Sequence, residues 1–293
     1  MIHFASSPLR VSLIGGGTDF ESFYKNYNGA VINFTIDKYV YVLVKNKFDK
    51  NIKLSYSINE YPKSINEIKH SLIKNIFKLY NIKNNIELIS IADIHSKGTG
   101  LGSSSAFTIA SLTAINSFLK MKPLNRKKLA ELACNIEIKK NKSPIGVQDQ
   151  YSSCFGGFNF MEFSKKGVYV KRYDLKKNEL NHIHKNLYLY NTGIKRSNNS
   201  VLQIHKKNIK QNLNIDYLKH LRDQTYILND QIKLKNFDYI PIAINKSWEL
   251  KQKFNKKTNN QLIEKLINKG INSGATAAKL LGAGGGGFIL FHV

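Results

Sequence analysis

The chain has 293 residues, a formal net charge of +25, 42% hydrophobic residues, 16 Phe and 15 Tyr. That composition excludes a disordered chain and leaves room for one large domain or two ordinary ones. Only five of the 45 basic residues are Arg, and the lysines are scattered without an RNP-like aromatic motif, which points to a solvated lysine surface rather than a dedicated nucleic-acid binder.

The N-terminal "MIHFASSPLRV" lacks a basic lead and a long apolar core, so it does not read as a signal peptide. "RVSLIGG" (10–16) reads as a strand entering a glycine turn. "GAVINFTI" (29–36) and "KYVYVLVKNK" (38–47) read as two strands with a tight connection. A short strand near 52–57 precedes a helical stripe over 64–80, with apolar residues at 65, 68, 72, 73, 76, 77 and 79. Residues 85–92 form a strand, and "GTGLGSSSAF" (98–107) leads into a helix over 103–120. Residues 98–119 are uncharged and long enough to span a bilayer, but three Gly, five Ser, three Thr and an Asn suit a buried helix better.

A second helix begins with Asn125 as N-cap and runs to about Lys140. A polar break follows, then a short helix around 147–154 and a hairpin over 156–163 and 167–175. Cys134 and Cys154 have no metal-ligand spacing and read as buried thiols of a reducing, cytoplasmic compartment. Beyond 176 the character changes to one strand (186–193), lysine-rich helices (about 197–211, 214–234, 240–254 and 258–270) and two final strands around "GAGGGG". Strands and helices do not alternate as in doubly wound sheets. The expected class is therefore α+β in two parts, residues 1–175 and 176–293.

"GTGLGSSSAF" is neither a Walker A loop nor a dinucleotide fingerprint, because its glycines fall at 98, 100 and 102 and no Gly-Lys-Ser/Thr closes it. A glycine-rich backbone leading into a helix N-terminus suits anionic oxygens, and its serines could reach phosphate or a metal; a tight turn with a serine cap remains the alternative. "LRVSLIGGGTD" adds Arg10 and Asp19, and "NIEIKKNKSPIGVQDQY" adds Glu137 and Asp149.

Taken in order, "SPLRVSLIGGGTDF", "GTGLGSSSAF" and "KLLGAGGGG" resemble the three motifs of the GHMP kinases, and "GVQDQ" is similar to the segment holding the catalytic Asp of the family's sugar kinases. The resemblance implies a ribosomal protein S5 domain 2-like N-terminal domain, a ferredoxin-like C-terminal domain, and ATP and Mg²⁺ as cofactors. "GGGTDF", "NTGIKRS" and "KSWELKQKF" are most similar to D-glycero-D-manno-heptose 7-phosphate kinases, with fucokinases and galactokinase-like enzymes as close alternatives. The implied substrate is a small sugar phosphate, and no nucleic-acid or membrane partner is implied. The sequence leaves the oligomeric state open between monomer and homodimer.

Carried over by motif, Asp149 takes the proton from the sugar hydroxyl. Arg10 holds Asp149 as a carboxylate and offsets charge on the transferred phosphoryl group. The backbone of Gly98, Thr99, Gly100, Leu101, Gly102, Ser103, Ser104 and Ser105 cradles the triphosphate. Ser104 and Glu137 hold Mg²⁺. Gly16, Gly17, Thr18 and Asp19 bind the sugar. The motifs leave its distal phosphate unassigned; among the five Arg, Arg196, in a loop after an apolar strand and a Gly turn, is the expected reader, with a solvent-facing loop residue as the alternative. Ser96-Lys97 stands where the family has Pro. The chain ends at Val293 directly after the third motif, where the family continues with a helix and a strand, so the expected C-terminal domain is incomplete with an open sheet edge. A truncated, non-catalytic ligand-binding protein is the remaining alternative.

Overall fold

The computed structural model describes residues 1–94, 98–194, 203, 204, 206–209, 211, 213, 215–254 and 261–293. Its organising element is β2 (Gly29–Asn46), a single 18-residue strand. Along one side it pairs antiparallel with β1 (Ile2–Ile14). Along the other it pairs with β6 (Phe158–Ser164) through residues 29–34 and with β5 (Ile86–Ala92) through residues 40–46. β3 (Ile52–Ser55) joins β5 in parallel, β4 (Asn59–Glu60) joins β3, and β7 (Gly167–Arg172) completes the β6–β7 hairpin.

The tight connection expected near Asp37 is not a turn. Pro8 pairs with Tyr39 and Arg10 with Thr35, so Ile36, Asp37 and Lys38 face only Leu9 in a bulge. The strand bends there and continues. β1 also begins eight residues earlier than expected, because Ser6, Ser7 and Pro8 are paired throughout with β2.

Helix α1 (Glu21–Tyr27) follows the first glycine turn, and α2 (Ser71–Leu79) is shorter than its apolar stripe because residues 65–67 form a separate 3₁₀ turn. Helix α3 (Ser103–Phe118) lies against β1 and β2, with Ala106, Ala110 and Ala114 fully buried. Small residues let this helix sit deep in the core. In α4 (Arg126–Cys134), Asn125 caps the first turn by accepting from Lys128 N. The expected continuation to Lys140 is a π-helical turn over Asn135–Lys140, after which α5 (Gln148–Phe155) begins.

A second, three-stranded sheet has the order β8–β10–β9, from β8 (Leu187–Asn191), β9 (Ala277–Leu280) and β10 (Phe288–His292). Helices α6 (Lys177–His184), α7 (Ile215–Lys233), α8 (Tyr239–Phe254) and α9 (Gln261–Asn272) accompany it. One apolar core joins both halves: Leu9, Val11 and Leu13 of β1 belong to the same buried cluster as Leu228, Ile244, Leu281 and Leu290. Among the described residues no helix is long and apolar enough to cross a membrane.

Candidate active site

The three glycine segments converge on one cavity of about 320 Å³, within the ~300–1,000 Å³ typical of small-molecule pockets. The alternation of the second segment has a direct conformational cause. Gly98, Gly100 and Gly102 have φ of +78°, +77° and +75°, a left-handed setting that costs other residues ~1–2 kcal/mol each. Gly100 also lies against the third segment, where a Cβ would stand 2.8 Å from the Leu281 carbonyl oxygen. Phe288 N donates to Thr99 O at 3.2 Å, so the two loops dock backbone to backbone.

Arg10 projects from β1 onto this junction and is 5% exposed. Its Nε and Nη2 donate to the two oxygens of Asp149 at 2.7 and 2.8 Å, and its Nη1 donates to Gly100 O. The fork geometry of guanidinium on carboxylate makes a strong, oriented pair. Asp149 sits on the first turn of α5 and keeps 20% of its side chain exposed, so a ligand can reach it.

Asp19 lies beside this pair, 2% exposed. It accepts from Gly17 N at 2.9 Å and Gln148 N at 3.2 Å, which ties the first glycine turn to the start of α5. Gly146 leaves room for it, since a Cβ there would fall 2.0 Å from an Asp19 oxygen. Burial, then the charge of Asp149, raises the Asp19 pKa, and the two N–H donors oppose the rise.

Glu137 stands in the π-helical turn, fully buried. Ser104 donates to one of its oxygens, while Ser105 and Gln150 donate to the other. Burial raises its pKa, the three donors lower it, and the Asp149 charge raises it further. One carboxylate beside the exposed hydroxyl of Ser104 is a donor set suited to a hard cation that takes its remaining ligands from phosphate and water. Among the described residues no group of three or more His, Cys, Asp and Glu forms a self-sufficient metal cage.

The residues singled out from sequence divide by position. Arg10, Asp19, Gly16, Gly17, Gly98, Thr99, Gly100, Gly102, Ser103, Ser104, Ser105 and Asp149 line the cavity. Thr18 and Glu137 do not: Glu137 is enclosed by Ser104, Ser105 and Gln150, and the Thr18 hydroxyl shares its one proton between Gly15 O and Ala30 O and accepts from Ala30 N. Leu101 turns its side chain into the core and offers its carbonyl to Arg10 N. Arg196 and Lys97 lie outside the described residues. Lys279, Gln148 and Ser247 line the cavity without having been singled out from sequence. Lys279 carried a legible signal, a lone cation inside the apolar run "AAKLL".

The sequence pattern of the "GHMP kinases N terminal domain" matches residues 66–157. The chain is 30% identical over 300 residues to the D-glycero-alpha-D-manno-heptose 7-phosphate kinase of Campylobacter jejuni, covering 98% of this chain and 88% of that one. A crystal structure of a putative sugar kinase from Campylobacter jejuni is 27% identical, with a TM-score of 0.74 over 100% of this chain and 88% of that one. The Lactococcus lactis galactokinase complexed with galactose shares the fold alone: 17% identity and a TM-score of 0.77 over 100% of this chain and 85% of that one. With its three glycine segments closed around the Arg10–Asp149 pair, and with a relative matching along nearly its whole length, the chain belongs to the GHMP kinase family.

Proposed function

We propose that this protein is an ATP- and Mg²⁺-dependent sugar kinase that phosphorylates the anomeric hydroxyl of D-glycero-D-manno-heptose 7-phosphate. The observation that carries the reading is the bidentate Arg10–Asp149 pair at the meeting point of the glycine loops, beside Glu137 and Ser104. Phosphoryl transfer asks mainly for positioning and charge neutralisation, and these residues supply both.

In this mechanism Asp149 accepts the proton of the anomeric hydroxyl as that oxygen bonds to the γ-phosphorus of ATP. The bond from the γ-phosphorus to its bridging oxygen breaks, and ADP leaves. Arg10 holds the carboxylate in place and faces the developing negative charge. Backbone N–H groups from Gly98 to Ser105, at the start of α3, hold the phosphates. Mg²⁺, held by Ser104 and Glu137 together with phosphate oxygens, would neutralise charge on the transferred group. Asp19, Gly16 and Gly17 would face the sugar, and Arg196 its distal phosphate. The same reading divides the chain at residue 175 into a nucleotide-binding, catalytic part and a C-terminal part.

A coupled ADP-release assay over a panel of sugars and sugar phosphates tests the proposal. Turnover of heptose 7-phosphate above that of fucose, galactose and unphosphorylated heptose is the expected result. ATP binding with no turnover of any acceptor would favour the non-catalytic alternative.

A further inference from the structure

Lys279 is the third residue of β9 and is 6% exposed, between neighbours Ala278 and Leu280 that are each 1% exposed. A lysine is hardly ever enclosed in this way unless its ammonium finds partners. All three of its N–H donors are engaged: Leu13 O at 2.7 Å, Ser247 Oγ at 2.9 Å and Ser12 O at 3.2 Å. None of the three is a carboxylate. This cation is therefore not one half of an ion pair, and it does not compete with Arg10 for Asp149. Burial and the neighbouring Arg10 push its pKa down to about 7, against which the three acceptors favour the ammonium.

The acceptors are available because β1 is irregular at this point. Ser12 pairs with Asn33 and Ile14 with Ile32, so Leu13 is an extra residue that interrupts the ladder. Arg10 stands two residues before Ser12, on the same face of the strand, and both line the cavity. Its own N–H is held by Leu101 O at 2.9 Å. The segment from Arg10 to Leu13 is thus fastened at one end by the phosphate loop and at the other by Lys279. Between these fastenings, the pairing of residues 10–12 with β2 is bounded by irregularities on both sides.

We propose that Lys279 is a positioning residue whose side-chain nitrogen ties the bulged Ser12–Leu13 segment to β9 and to Ser247 of α8, and so fixes Arg10 against Asp149 and Gly100. The assignment rests on the kinase reading of the site for its effect on turnover, but the geometric part stands apart from it. Lys279 lines the cavity as well, and the role assigned to it acts through Arg10.

The test uses the full chain with Lys279→Met, which keeps length and removes every donor. With only five Arg in the sequence, the Arg10 Nε–H signal in a ¹⁵N NMR spectrum is assignable by its loss in Arg10→Lys. In Lys279→Met that signal should move or broaden. The kcat should fall by roughly 10²-fold, as expected when a reacting group is misplaced by about 1 Å, with the KM for ATP within about threefold. In an Arg10→Lys background, Lys279→Met should cost less than about threefold more, because both changes remove the same placement. An unmoved Arg10 signal, or effects on kcat that multiply, overturns the proposal. If Lys279→Met does not fold, Ser247→Ala, which removes one acceptor and leaves the lysine, should shift the Arg10 signal at a near-native Tm; an unchanged signal and kcat would overturn the proposal. Wild-type protein that turns over no sugar phosphate would refute the kinase reading, while the Arg10 signal would still report on the latch.

Discussion

Replacing Asp149 by Asn keeps the shape of the side chain and removes its charge and its ability to accept a proton. Two opposing effects on stability follow. Arg10 loses one of its two carboxylate acceptors, a charge-assisted bond worth ~1.5–3 kcal/mol. Against that loss, the Asp149 charge that raises the pKa of both Asp19 and Glu137 disappears, which relieves repulsion among three buried or half-buried carboxylates. The net destabilisation should stay below about 3 kcal/mol, a fall in Tm of no more than about 10 °C for a chain of this size. Activity should respond far more, because loss of a general base costs typically ~10²–10⁴-fold in kcat. Steady-state ADP release, with ATP affinity by calorimetry and Tm by scanning fluorimetry, separates the two responses. A variant that retains kcat within about threefold of wild type would refute the assignment of Asp149 as base, whatever its Tm.

Glu137→Gln should raise the Mg²⁺ concentration for half-maximal rate by about tenfold, equal to ~1.4 kcal/mol of lost ligation, with little change in sugar KM. An unchanged magnesium titration would leave Glu137 only its bonds to Ser104, Ser105 and Gln150. Gly100→Ala combines φ of +77° with a Cβ 2.8 Å from Leu281 O, so it should destabilise by ~2 kcal/mol or more in urea unfolding and weaken ATP binding. Arg196→Ala should raise the KM for the sugar phosphate many-fold and barely affect the unphosphorylated sugar; equal effects on both would reject that role. Lys279 has a folded pKa lowered to about 7 from an ordinary 10.5, so its contribution to stability is present above the ordinary value and is lost as pH falls toward 7. Urea unfolding across that window should show this slope in wild type and its absence in Lys279→Met.

The glycine segments were legible because backbone conformation there admits few residues. Alternate glycines at 98, 100 and 102 marked a glycine-rich loop before a helix, and the structure holds all three at positive φ. The N-cap at Asn125 and the hairpin at 158–172 followed from equally local chemistry. Legibility failed where partners distant in sequence decide the outcome. Asp37 and Lys38 interrupt an apolar run like a turn, yet pairing with β1 on both sides carries the strand through. The π-helical turn that seats Glu137 has no signal in "NIEIKK", since it depends on burial against Ser104 and Ser105. Thr18 reads as part of a sugar-binding motif, but only the position of Ala30 reveals that its hydroxyl faces inward.

The bond from Lys279 to Ser12 closes a chain separation of 267 residues, and Phe288 reaches back to Thr99. Contacts of such span form against a large loop-closure entropy, which grows with the length of chain they enclose. During synthesis, β1, the Gly98–Ser105 loop and α5 leave the ribosome long before β9 and β10 do. Over that interval Ser12 O, Leu13 O and Thr99 O lack the partners that Lys279 and Phe288 later supply. Under the proposed function, the cradle offered to the nucleotide is complete only after residues 279–288 have been made.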